Sequence, residues 1–327
     1  MQIVFHGANA ASFSNGFSEL LGADAAIAIL PDELSSESDR AIYAAADVIV
    51  GVTFNSQMPK PEGLRLFHVP GAGFDAVELN ELPNTATVCN CFGHEQAIAE
   101  YVMTALLMRQ IPIADADREL RQGRWTYWAG ATDRVHGEIA GKTIGLLGYG
   151  HIGKAIATRA KAFEMAVIVA NRSSVPASDL VDRAYSLAEL TAFFGAADAY
   201  VVSLPLTPET TGLVGREALA AMRSDAVIIN VGRGPTVDEQ ALFDALEQRR
   251  IGGAIIDTWY QYPSGEAQVT PPGRLPFERL PNVVMTPHMS GWTNGTIRRR
   301  QSVIAENVRR RMAGLDCMNV VRAAHPG

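Results

Sequence analysis

At 327 residues, the chain is longer than a single hydrophobic core usually fills, and its 47% of hydrophobic residues can build two domains. Its net charge of −7 and its pI near 5.5 argue against binding nucleic acid through bulk charge. No run of about 18 apolar residues could span a bilayer, so we expect a soluble protein with neither a nucleic-acid nor a membrane partner.

The N-terminus begins directly on a strand-like run, QIVF (2–5), without the basic start and cleavage site of a signal peptide. Three cysteines, an odd number in a long chain, do not form a disulfide framework. Cys89 and Cys91 lie near a histidine in CNCFGH (89–94), but this spacing fits no common zinc site and predicts alternating strand residues. We therefore expect a cytoplasmic protein without a metal site.

Short apolar runs separated by polar, helix-like stretches predict alternating strands and helices in the first third of the chain. These runs are IVF (3–5), AIAIL (26–30), VIV (48–50) and LFHV (66–69). From 97 to 109, apolar residues recur at helical spacing until Pro112 interrupts the pattern. This segment predicts one long helix that could connect two domains.

Continuous apolar runs then recur along the rest of the chain. They are TIGLL (143–147), AVIVA (166–170), YVVSL (200–204), AVIINV (226–231), GAIID (253–257) and VVMT (283–286). Runs of this kind at this spacing are typical of a parallel sheet with helices on both faces. The segment TIRRRQSVIAENVRRRM (296–312) predicts a last helix, whose arginines we interpret as a solvated face rather than a nucleic-acid site.

A glycine-rich motif, GYGHIG (148–153), follows the TIGLL strand and precedes a helix-forming run, KAIATRAKAF. In this setting Gly148 permits a tight turn, Gly150 lets the backbone approach a pyrophosphate, and Gly153 allows close packing of helix and strand. The motif therefore predicts a dinucleotide-binding site.

The strand after this motif ends in VIVANRSS (167–174), so Asn171 stands where a carboxylate would bind the adenosine ribose of NAD. Arg172 and Ser173 could instead bind a 2′-phosphate, because no carboxylate is present to repel it. Alternatively, Arg172 only stacks on adenine while Asn171 bonds the ribose. We predict that NADP(H) is favoured over NAD(H).

Five segments occur in one order: EIAGKTIGLLGYGHIGKAIA (138–157), VSLPLTPETTGLV (202–214), NVGRG (230–234), GGAIIDTW (252–259) and LPNVVMTPHMSGWT (280–293). Together they closely resemble the D-isomer-specific 2-hydroxyacid dehydrogenases, a family that includes glyoxylate/hydroxypyruvate reductases, phosphoglycerate dehydrogenases and, more distantly, formate dehydrogenases. The resemblance covers nearly the whole chain. It implies an α/β protein of two Rossmann-like domains with doubly wound parallel sheets. An NAD(P)-binding domain (99–290) would be inserted into a flavodoxin-like substrate domain (1–98 plus 291–327).

The resemblance also implies roles for individual residues. Arg233 would hold the substrate carboxylate and keto oxygen, which suits its planar fork of donors. His288 would donate a proton to the developing alkoxide in reduction, or accept one in oxidation. Asp257 would orient the nicotinamide carboxamide. The other residues implied to contact the cofactor are Tyr149, His151, Ile152, Leu204, Pro205, Thr207, Val231, Gly232, Ser290 and Gly291.

On the substrate side, Gly71, Ala72 and Gly73 match the family loop whose N–H groups receive the substrate carboxylate. His94 occupies a position at which formate dehydrogenases have a substrate-side asparagine. It could face the substrate, or it could pack as a histidine at the start of a helix.

The chain departs from the family five residues after Asp257. There the family usually has glutamate and formate dehydrogenases have glutamine, whereas this chain has Tyr262, and Pro263 keeps the register. A phenol can hydrogen-bond the ring of His288 but is neutral near pH 7, so it cannot stabilise imidazolium as a carboxylate does. Glu266 could replace the missing acid. Arg274 in the same insertion could contact a distal acidic or phosphate group, or could be exposed.

These observations predict an NADPH-dependent reductase of a small 2-keto acid such as glyoxylate or hydroxypyruvate, acting through Arg233 and His288. The helix at 97–109 and the segment RWTYWAG (124–130) resemble the region through which family members form homodimers. Two alternatives stay open. One is hydride abstraction without a Glu–His proton relay, as in formate dehydrogenases, which Tyr262 would suggest. The other is a cofactor-sensing binding protein like the corepressors of this family.

Overall fold

The computed structural model of the chain describes residues 1–263 and 269–325. The chain forms two compact units, the first made of Met1–His94 and Trp292–Gly327 and the second of Glu95–Gly291. The sequence placed these boundaries after residues 98 and 290. The difference at the first boundary arises because the helix predicted from 97 begins at Glu95 and belongs as a whole to the second unit.

The strands and helices follow one another in the order expected for alternating β and α elements. The first are β1 (Gln2–His6), α1 (Gly7–Ala11), α2 (Phe17–Leu21), β2 (Ala26–Leu30), α3 (Glu37–Ala44), β3 (Val48–Gly51), β4 (Leu66–His68) and β5 (Thr87–Cys89). The second unit contains α4 (Glu95–Gln110), α5 (Ile113–Leu120), β6 (Thr143–Leu147), α6 (His151–Ala162), β7 (Ala166–Asn171), β8 (Arg183–Ser186), α7 (Leu190–Phe194), β9 (Ala199–Val202), α8 (Arg216–Ala221), β10 (Val227–Asn230), α9 (Glu239–Glu247), β11 (Gly253–Ile256) and β12 (Val283–Met285). The chain then returns to the first unit with α10 (Asn294–Met312) and β13 (Val320–Arg322).

The first unit is built on a six-stranded sheet in the order β13-β5-β4-β3-β1-β2. Five strands are parallel, in the order typical of flavodoxin-like folds, and β13 pairs with β5 in the antiparallel direction. One face of the sheet packs around Phe67 and Tyr43, and the other around Phe5 and the buried stripe of α10. The doubly wound α/β fold predicted for this unit is confirmed.

The arginines of α10 correct one sequence interpretation. Arg300 is only 9% exposed, so the helix does not present all of its arginines to solvent. Arg309 donates to the carbonyl of Leu20 at 2.8 Å, and Arg311 donates to the carbonyl of Arg65 at 3.0 Å. These guanidinium groups therefore bind backbone carbonyls of their own unit, because arginine supplies several donors on a long, flexible stem.

The second unit is built on a seven-stranded parallel sheet in the order β12-β11-β10-β9-β6-β7-β8. This is the order of a Rossmann fold with one additional edge strand, so the predicted fold class is confirmed here as well. The strands β9, β10 and β11 are buried along their whole length, between two apolar clusters. Burial on both faces explains why these segments are continuous apolar runs in the sequence.

None of the helices in residues 1–263 and 269–325 combines the length and apolar character that crossing a bilayer requires.

Candidate active site

Five neighbouring strands of the second unit lead into the segments that carry predicted site residues. In the sheet, β12, β11, β10, β9 and β6 lie side by side and run in the same direction. They are followed by the loops that contain His288, Asp257, Arg233, Leu204 and Gly148, respectively. Parallel strands end at a common edge, and ligands of open α/β sheets bind at that carboxyl edge. The topology thus collects these motifs on one side of the sheet.

The glycine-rich turn after β6 has the geometry of a phosphate-binding loop. Gly148 has a φ of 100°, a conformation that favours glycine. A Cβ on Gly153 would collide with the carbonyl oxygen of Gly148, whereas a Cβ on Gly150 would meet no described atom within 4 Å. Gly150 caps α6 without a side-chain hydrogen bond. The N-terminus of α6 can therefore receive a pyrophosphate.

At the end of β7, both polar groups of the Asn171 side chain are used within the protein. Its Oδ1 accepts from the N–H of Tyr149 at 3.2 Å, and its Nδ2 donates to the carbonyl of Ser173 at 3.0 Å. Arg172 and Ser173 are exposed beside it. The pKa of Glu209 is lowered, chiefly by a hydrogen bond from Thr207 and to a smaller extent by the positive charge of Arg172.

The loop after β9 is held by Thr210, whose hydroxyl donates to the carbonyl of Pro205 at 2.7 Å and accepts from the N–H of Thr207 at 2.8 Å. This loop lies directly against the next one. A Cβ on Gly232 would be 2.7 Å from the carbonyl oxygen of Leu204 and 2.9 Å from its nitrogen. Glycine at this position therefore lets the ends of β9 and β10 approach each other.

Arg233 lies on a turn whose backbone is hydrogen-bonded by the side chain of Asn230. The Oδ1 of Asn230 accepts from the N–H of Gly232 at 3.1 Å, and its Nδ2 donates to the carbonyl of Arg233 at 3.1 Å. The hydroxyl of Thr236 donates to the same carbonyl at 2.6 Å. The half-buried guanidinium is steadied by a bond from Nη1 to the carbonyl of Gly232 at 3.0 Å. The sequence analysis did not assign a role to Asn230, although it begins the NVGRG motif.

Asp257 organises the loop that carries His288. It is fully buried, and its carboxylate accepts from the hydroxyl of Thr286 at 2.6 Å and from the N–H groups of Met289 at 2.9 Å and Ser290 at 3.0 Å. Between these anchors, His288 has a φ of 56°, in the left-handed region that non-glycine residues rarely occupy. Strain of this kind persists only where surrounding bonds impose it. The buried carboxylate supplies those bonds.

Tyr101 and Thr286 extend this network, and the sequence analysis missed both. The hydroxyls of Tyr101 and Thr286 are 2.7 Å apart, and Thr286 donates to Asp257. Tyr101 therefore donates to Thr286. Burial is the main cause that raises the pKa of Tyr101, so its phenol keeps the proton that this bond needs. A tyrosine on α4 gives no local sign of this contact.

Tyr262 and His288 are brought together. The phenol oxygen of Tyr262 lies 2.9 Å from Nδ1 of His288 and accepts from the N–H of Trp259 at 3.1 Å. The indole Nε1 of Trp259 donates to the carbonyl of Thr286 at 2.8 Å, which ties the Tyr262 segment to the His288 loop. Glu266, the other residue considered as a partner of His288, lies outside the described residues.

Arg274 is 75% exposed and forms an ion pair through Nε with the buried carboxylate of Glu239 at 2.9 Å. Of the two interpretations of Arg274, exposure is the one that the structure shows.

In the first unit, Gly71, Ala72 and Gly73 follow β4. The carbonyl of Gly71 accepts from the N–H of Cys91 at 3.0 Å, and that of Ala72 accepts from Nδ2 of Asn90 at 2.8 Å. Within the described part of the chain, the N–H groups of these three residues have no protein acceptor, which suits a loop that receives an anion. His94 is buried and immediately precedes α4.

Comparisons with known proteins agree with this geometry. Residues 102–290 match the family model described as D-isomer specific 2-hydroxyacid dehydrogenase, NAD binding domain. The chain is 30% identical over 285 residues to hydroxyphenylpyruvate reductase from Plectranthus scutellarioides, which covers 86% of this chain and 85% of that protein. It is 34% identical over 266 residues to glyoxylate/hydroxypyruvate reductase B from Citrobacter koseri, which covers 78% of each. Among solved structures, it is similar to an acyclic imino acid reductase in complex with NADPH and D-Arg, with a TM-score of 0.77 and 25% identity over 98% of this chain and 100% of that chain.

Proposed function

The chain belongs to the D-isomer specific 2-hydroxyacid dehydrogenase family, and we propose that it reduces a small 2-keto acid with NADPH as its preferred hydride donor. The family reaction is hydride transfer between a nicotinamide and C2 of a small 2-keto or 2-hydroxy acid. One observation supports the proposed site: the Gly148 turn, Arg233 and His288 follow neighbouring parallel strands, which end at a common sheet edge.

Each group at this edge has a distinct task in the proposed reduction. The Gly148 turn and the N-terminus of α6 hold the pyrophosphate, and the nicotinamide supplies the hydride when bound. Arg233 binds the carboxylate and keto oxygen, which fixes C2 for attack and stabilises negative charge on the oxygen. His288 donates the proton to that oxygen. In the first unit, the loop of Gly71, Ala72 and Gly73 offers N–H groups for a substrate carboxylate. His94 is a further candidate substrate contact, or it packs as a histidine at the start of α4.

The contact with Tyr262 bears on which ring nitrogen of His288 carries the proton in its neutral form. One lone pair of the phenol oxygen is taken by the N–H of Trp259, and the phenol can either donate its hydroxyl hydrogen to Nδ1 of His288 or accept from Nδ1–H with its other lone pair. If the phenol donates, the neutral ring carries its hydrogen on Nε2. A glutamate partner allows only the opposite arrangement, since it accepts from Nδ1–H. We propose that Tyr262 donates, which leaves Nε2 as a hydrogen-bond donor toward substrate in the neutral ring.

The proposed preference for NADPH rests on the end of β7. The side-chain amide of Asn171 hydrogen-bonds to the backbone of Tyr149 and Ser173. Residues 171–173 contain no carboxylate that could bind the ribose hydroxyls or repel a phosphate. The exposed guanidinium of Arg172 can bind a 2′-phosphate through charge-assisted hydrogen bonds. Each such bond typically contributes about 1.5 to 3 kcal/mol, which is enough to decide between the two cofactors.

We expect reduction of glyoxylate or hydroxypyruvate to proceed with a higher kcat/KM for NADPH than for NADH. Asn171→Asp should lower the NADPH/NADH ratio of kcat/KM by about tenfold or more, because the new carboxylate repels the 2′-phosphate. Initial rates of cofactor oxidation across a panel of 2-keto acids measure both effects. Equal or better efficiency with NADH in the parent would overturn the proposed preference.

Arg172→Ala separates the two roles considered for this arginine. If Arg172 binds the 2′-phosphate, the variant loses efficiency with NADPH and keeps it with NADH. Equal losses with both cofactors would instead indicate stacking on adenine. Arg183→Ala is the matched control, because Arg183 is an exposed arginine of the same unit that packs on Tyr185 in β8.

The Tyr262–His288 pair favours a second candidate reaction, the reduction of an imino acid. An iminium substrate arrives protonated, so its reduction needs no proton from imidazolium and tolerates a neutral phenol in place of glutamate. A solved structure similar to this chain is an acyclic imino acid reductase bound to NADPH. Mixing a 2-keto acid with an amine in the same assay tests this candidate. If turnover appears only when the amine is present, imino-acid reduction becomes the favoured function in place of keto-acid reduction. If NADPH binds but no turnover is seen, a cofactor-sensing protein is favoured.

We also propose that the chain forms a homodimer through the segment around 113–135. Large apolar side chains are exposed there, with Ile113 at 68%, Trp125 at 70%, Trp128 at 57% and Val135 at 81%. Exposed aromatic groups at this density are typical of a protein interface. Light scattering at micromolar concentration is expected to give the mass of a dimer.

Trp125→Asp should raise the dissociation constant of this dimer by about tenfold or more. The reason is that removing a tryptophan from the centre of an interface can weaken the free energy of binding by about 2 kcal/mol. Leu315→Asp is the control, since Leu315 is an apolar residue of the first unit that is 60% exposed. A monomeric parent, or equal weakening by both substitutions, would contradict the proposed interface.

We also propose a cytoplasmic location, because three cysteines, an odd number in a long chain, do not form the disulfide framework that is typical of exported proteins.

A further inference from the structure

Two cysteines that are distant in sequence meet in the first unit. Cys89 is the last residue of β5, and Cys317 lies just before β13, the strand that pairs with β5 and places Val320 opposite Cys89. The pKa of each thiol is shifted chiefly by a hydrogen-bonding interaction with the other. Both side chains pack against the apolar cluster that α10 forms with the sheet.

Asn307 of α10 holds the segment that carries Cys317. It is fully buried, its Oδ1 accepts from the N–H of Met318 at 2.7 Å, and its Nδ2 donates to the carbonyl of Met318 at 3.0 Å. The carbonyl of Asn307 accepts from the thiol of Cys317 at 3.7 Å. These contacts fix the sulfur of Cys317 beside β5.

His68 links Asn307 to the sheet. Burial lowers the pKa of His68 to about 4, so the ring is neutral near pH 7. Its Nδ1 donates to the carbonyl of Val69 at 3.1 Å, which leaves Nε2 to accept from Nδ2 of Asn307 at 3.0 Å. The Cys317 segment is thereby connected to the central part of the sheet through buried hydrogen bonds.

The two thiols have different chemical environments. Cys89 is fully buried, and its hydrogen bond to Cys317 and its burial raise its pKa. Cys317 is only half-buried. The hydrogen bond from Cys89, followed by the charges of Arg311 and Arg310, lowers the pKa of Cys317 to about 7, against the opposing effects of burial and Asp316. Cys317 is thus the more acidic and the more accessible thiol of the pair, as a nucleophile requires.

We propose that Cys89 and Cys317 form a redox-active pair, in which a hydroperoxide oxidises Cys317 and Cys89 then closes a disulfide between β5 and the segment before β13. Both side chains pack in one apolar cluster beside the paired strands β5 and β13, and the Cys317 segment is held by the hydrogen bonds described above. This placement brings together two thiols that interact with each other, as a disulfide between them requires.

The reaction proceeds in two balanced steps. In the first, the Cys317 thiolate attacks one peroxide oxygen, the O–O bond breaks, and the leaving oxygen takes a proton from solvent. Cys317 becomes a sulfenic acid, oxidised by two electrons, and the peroxide is reduced to an alcohol or water. In the second, the sulfur of Cys89 loses its proton and attacks the sulfur of Cys317, and the S–O bond breaks to release water. Excess thiol reductant reduces the disulfide and restores both thiols.

The test uses the full-length protein, reduced and then exposed to a small molar excess of hydrogen peroxide at neutral pH. We expect two of the three thiols to disappear together and a Cys89–Cys317 peptide to appear in mass spectrometry without reduction. Dithiothreitol should restore both thiols. The oxidised protein should also melt several degrees higher, because the cross-link restricts the unfolded chain.

Three variants make the test specific. Cys89→Ser should stop the reaction at the sulfenic acid of Cys317, which dimedone labels, and Cys317→Ser should abolish both the label and the disulfide. Cys91→Ala is the matched control and should still form the disulfide. Three outcomes would each overturn the proposal. They are the persistence of all thiols under peroxide, a disulfide that contains Cys91, and two chains cross-linked through Cys317 alone.

Discussion

Arg233→Ala is expected to lower kcat/KM for keto-acid reduction by about two orders of magnitude or more. Removing one partner of a buried, hydrogen-bonded charge pair costs about 2 to 5 kcal/mol, and about 1.4 kcal/mol corresponds to a factor of ten. If Arg233 holds the substrate in both the ground state and the transition state, as proposed, KM should rise and kcat should fall together. Steady-state kinetics with saturating NADPH measure both constants.

Two features of the structure make this variant interpretable. The turn that carries Arg233 is held through its backbone carbonyl by Asn230 and Thr236, so alanine preserves those bonds. Arg233→Lys should recover little of the lost activity, since an ammonium group cannot make the forked contact. NADPH binding should persist in both variants, which distinguishes a lost substrate contact from a lost fold.

Arg216→Ala provides the matched control. Arg216 lies in the same unit and forms an ion pair with Asp244 at 3.0 Å, with its side chain 70% exposed. Exposed pairs of this kind contribute about 1 kcal/mol or less to stability, so activity should remain near that of the parent. Near-normal kinetics in Arg233→Ala would remove Arg233 from the substrate site.

The second large effect concerns the pH dependence of reduction. If His288 is the proton donor, as proposed, it must begin the reductive step protonated, so kcat/KM should fall as the pH rises through the value at which the ring loses its proton. In the parent, Tyr262 offers a neutral hydroxyl, and we expect the decline within about pH 6 to 7, the ordinary range of histidine. Tyr262→Glu should move it upward by about one to three pH units, because an adjacent carboxylate stabilises imidazolium.

Tyr262→Phe distinguishes orientation from charge. It removes the hydroxyl that lies 2.9 Å from Nδ1 of His288 and that accepts from Trp259. We expect a lower kcat with the decline still at low pH, since no charge has been removed. The profile of each variant should be recorded in one mixed buffer at constant ionic strength, which keeps electrostatic screening the same.

Glu266→Gln tests whether Glu266, instead of a residue at position 262, supplies a negative charge to His288. If Glu266 supports His288, the parent already declines at high pH, Tyr262→Glu adds little, and Glu266→Gln moves the decline downward. A profile that stays flat from about pH 6 to about pH 9 in the parent and all three variants would show that His288 is not the titrating acid.

Local patterns in the sequence determined the sheet strands and the cofactor turn. Both depend on nearest neighbours along the chain: a strand buried on both faces needs a continuous apolar run, and a turn at a φ of 100° favours glycine at Gly148. The same local rules explain what was missed. The strands β8 and β13 are short, and neither is continuously buried, so they carry no long apolar run that predicts them.

Contacts between distant residues were decided only by the tertiary structure. The chain Tyr101–Thr286–Asp257 and the contacts of Tyr262 with Trp259 and His288 each join separate elements. Hydrogen bonds of this kind depend on distances of about 3 Å that strand order and loop packing set, and no spacing along the chain encodes them. The sequence by itself determined which residue types the site contains. Folding decided which of them hold His288 in its left-handed conformation, because a buried Asp257 accepts the N–H groups of the two residues that follow.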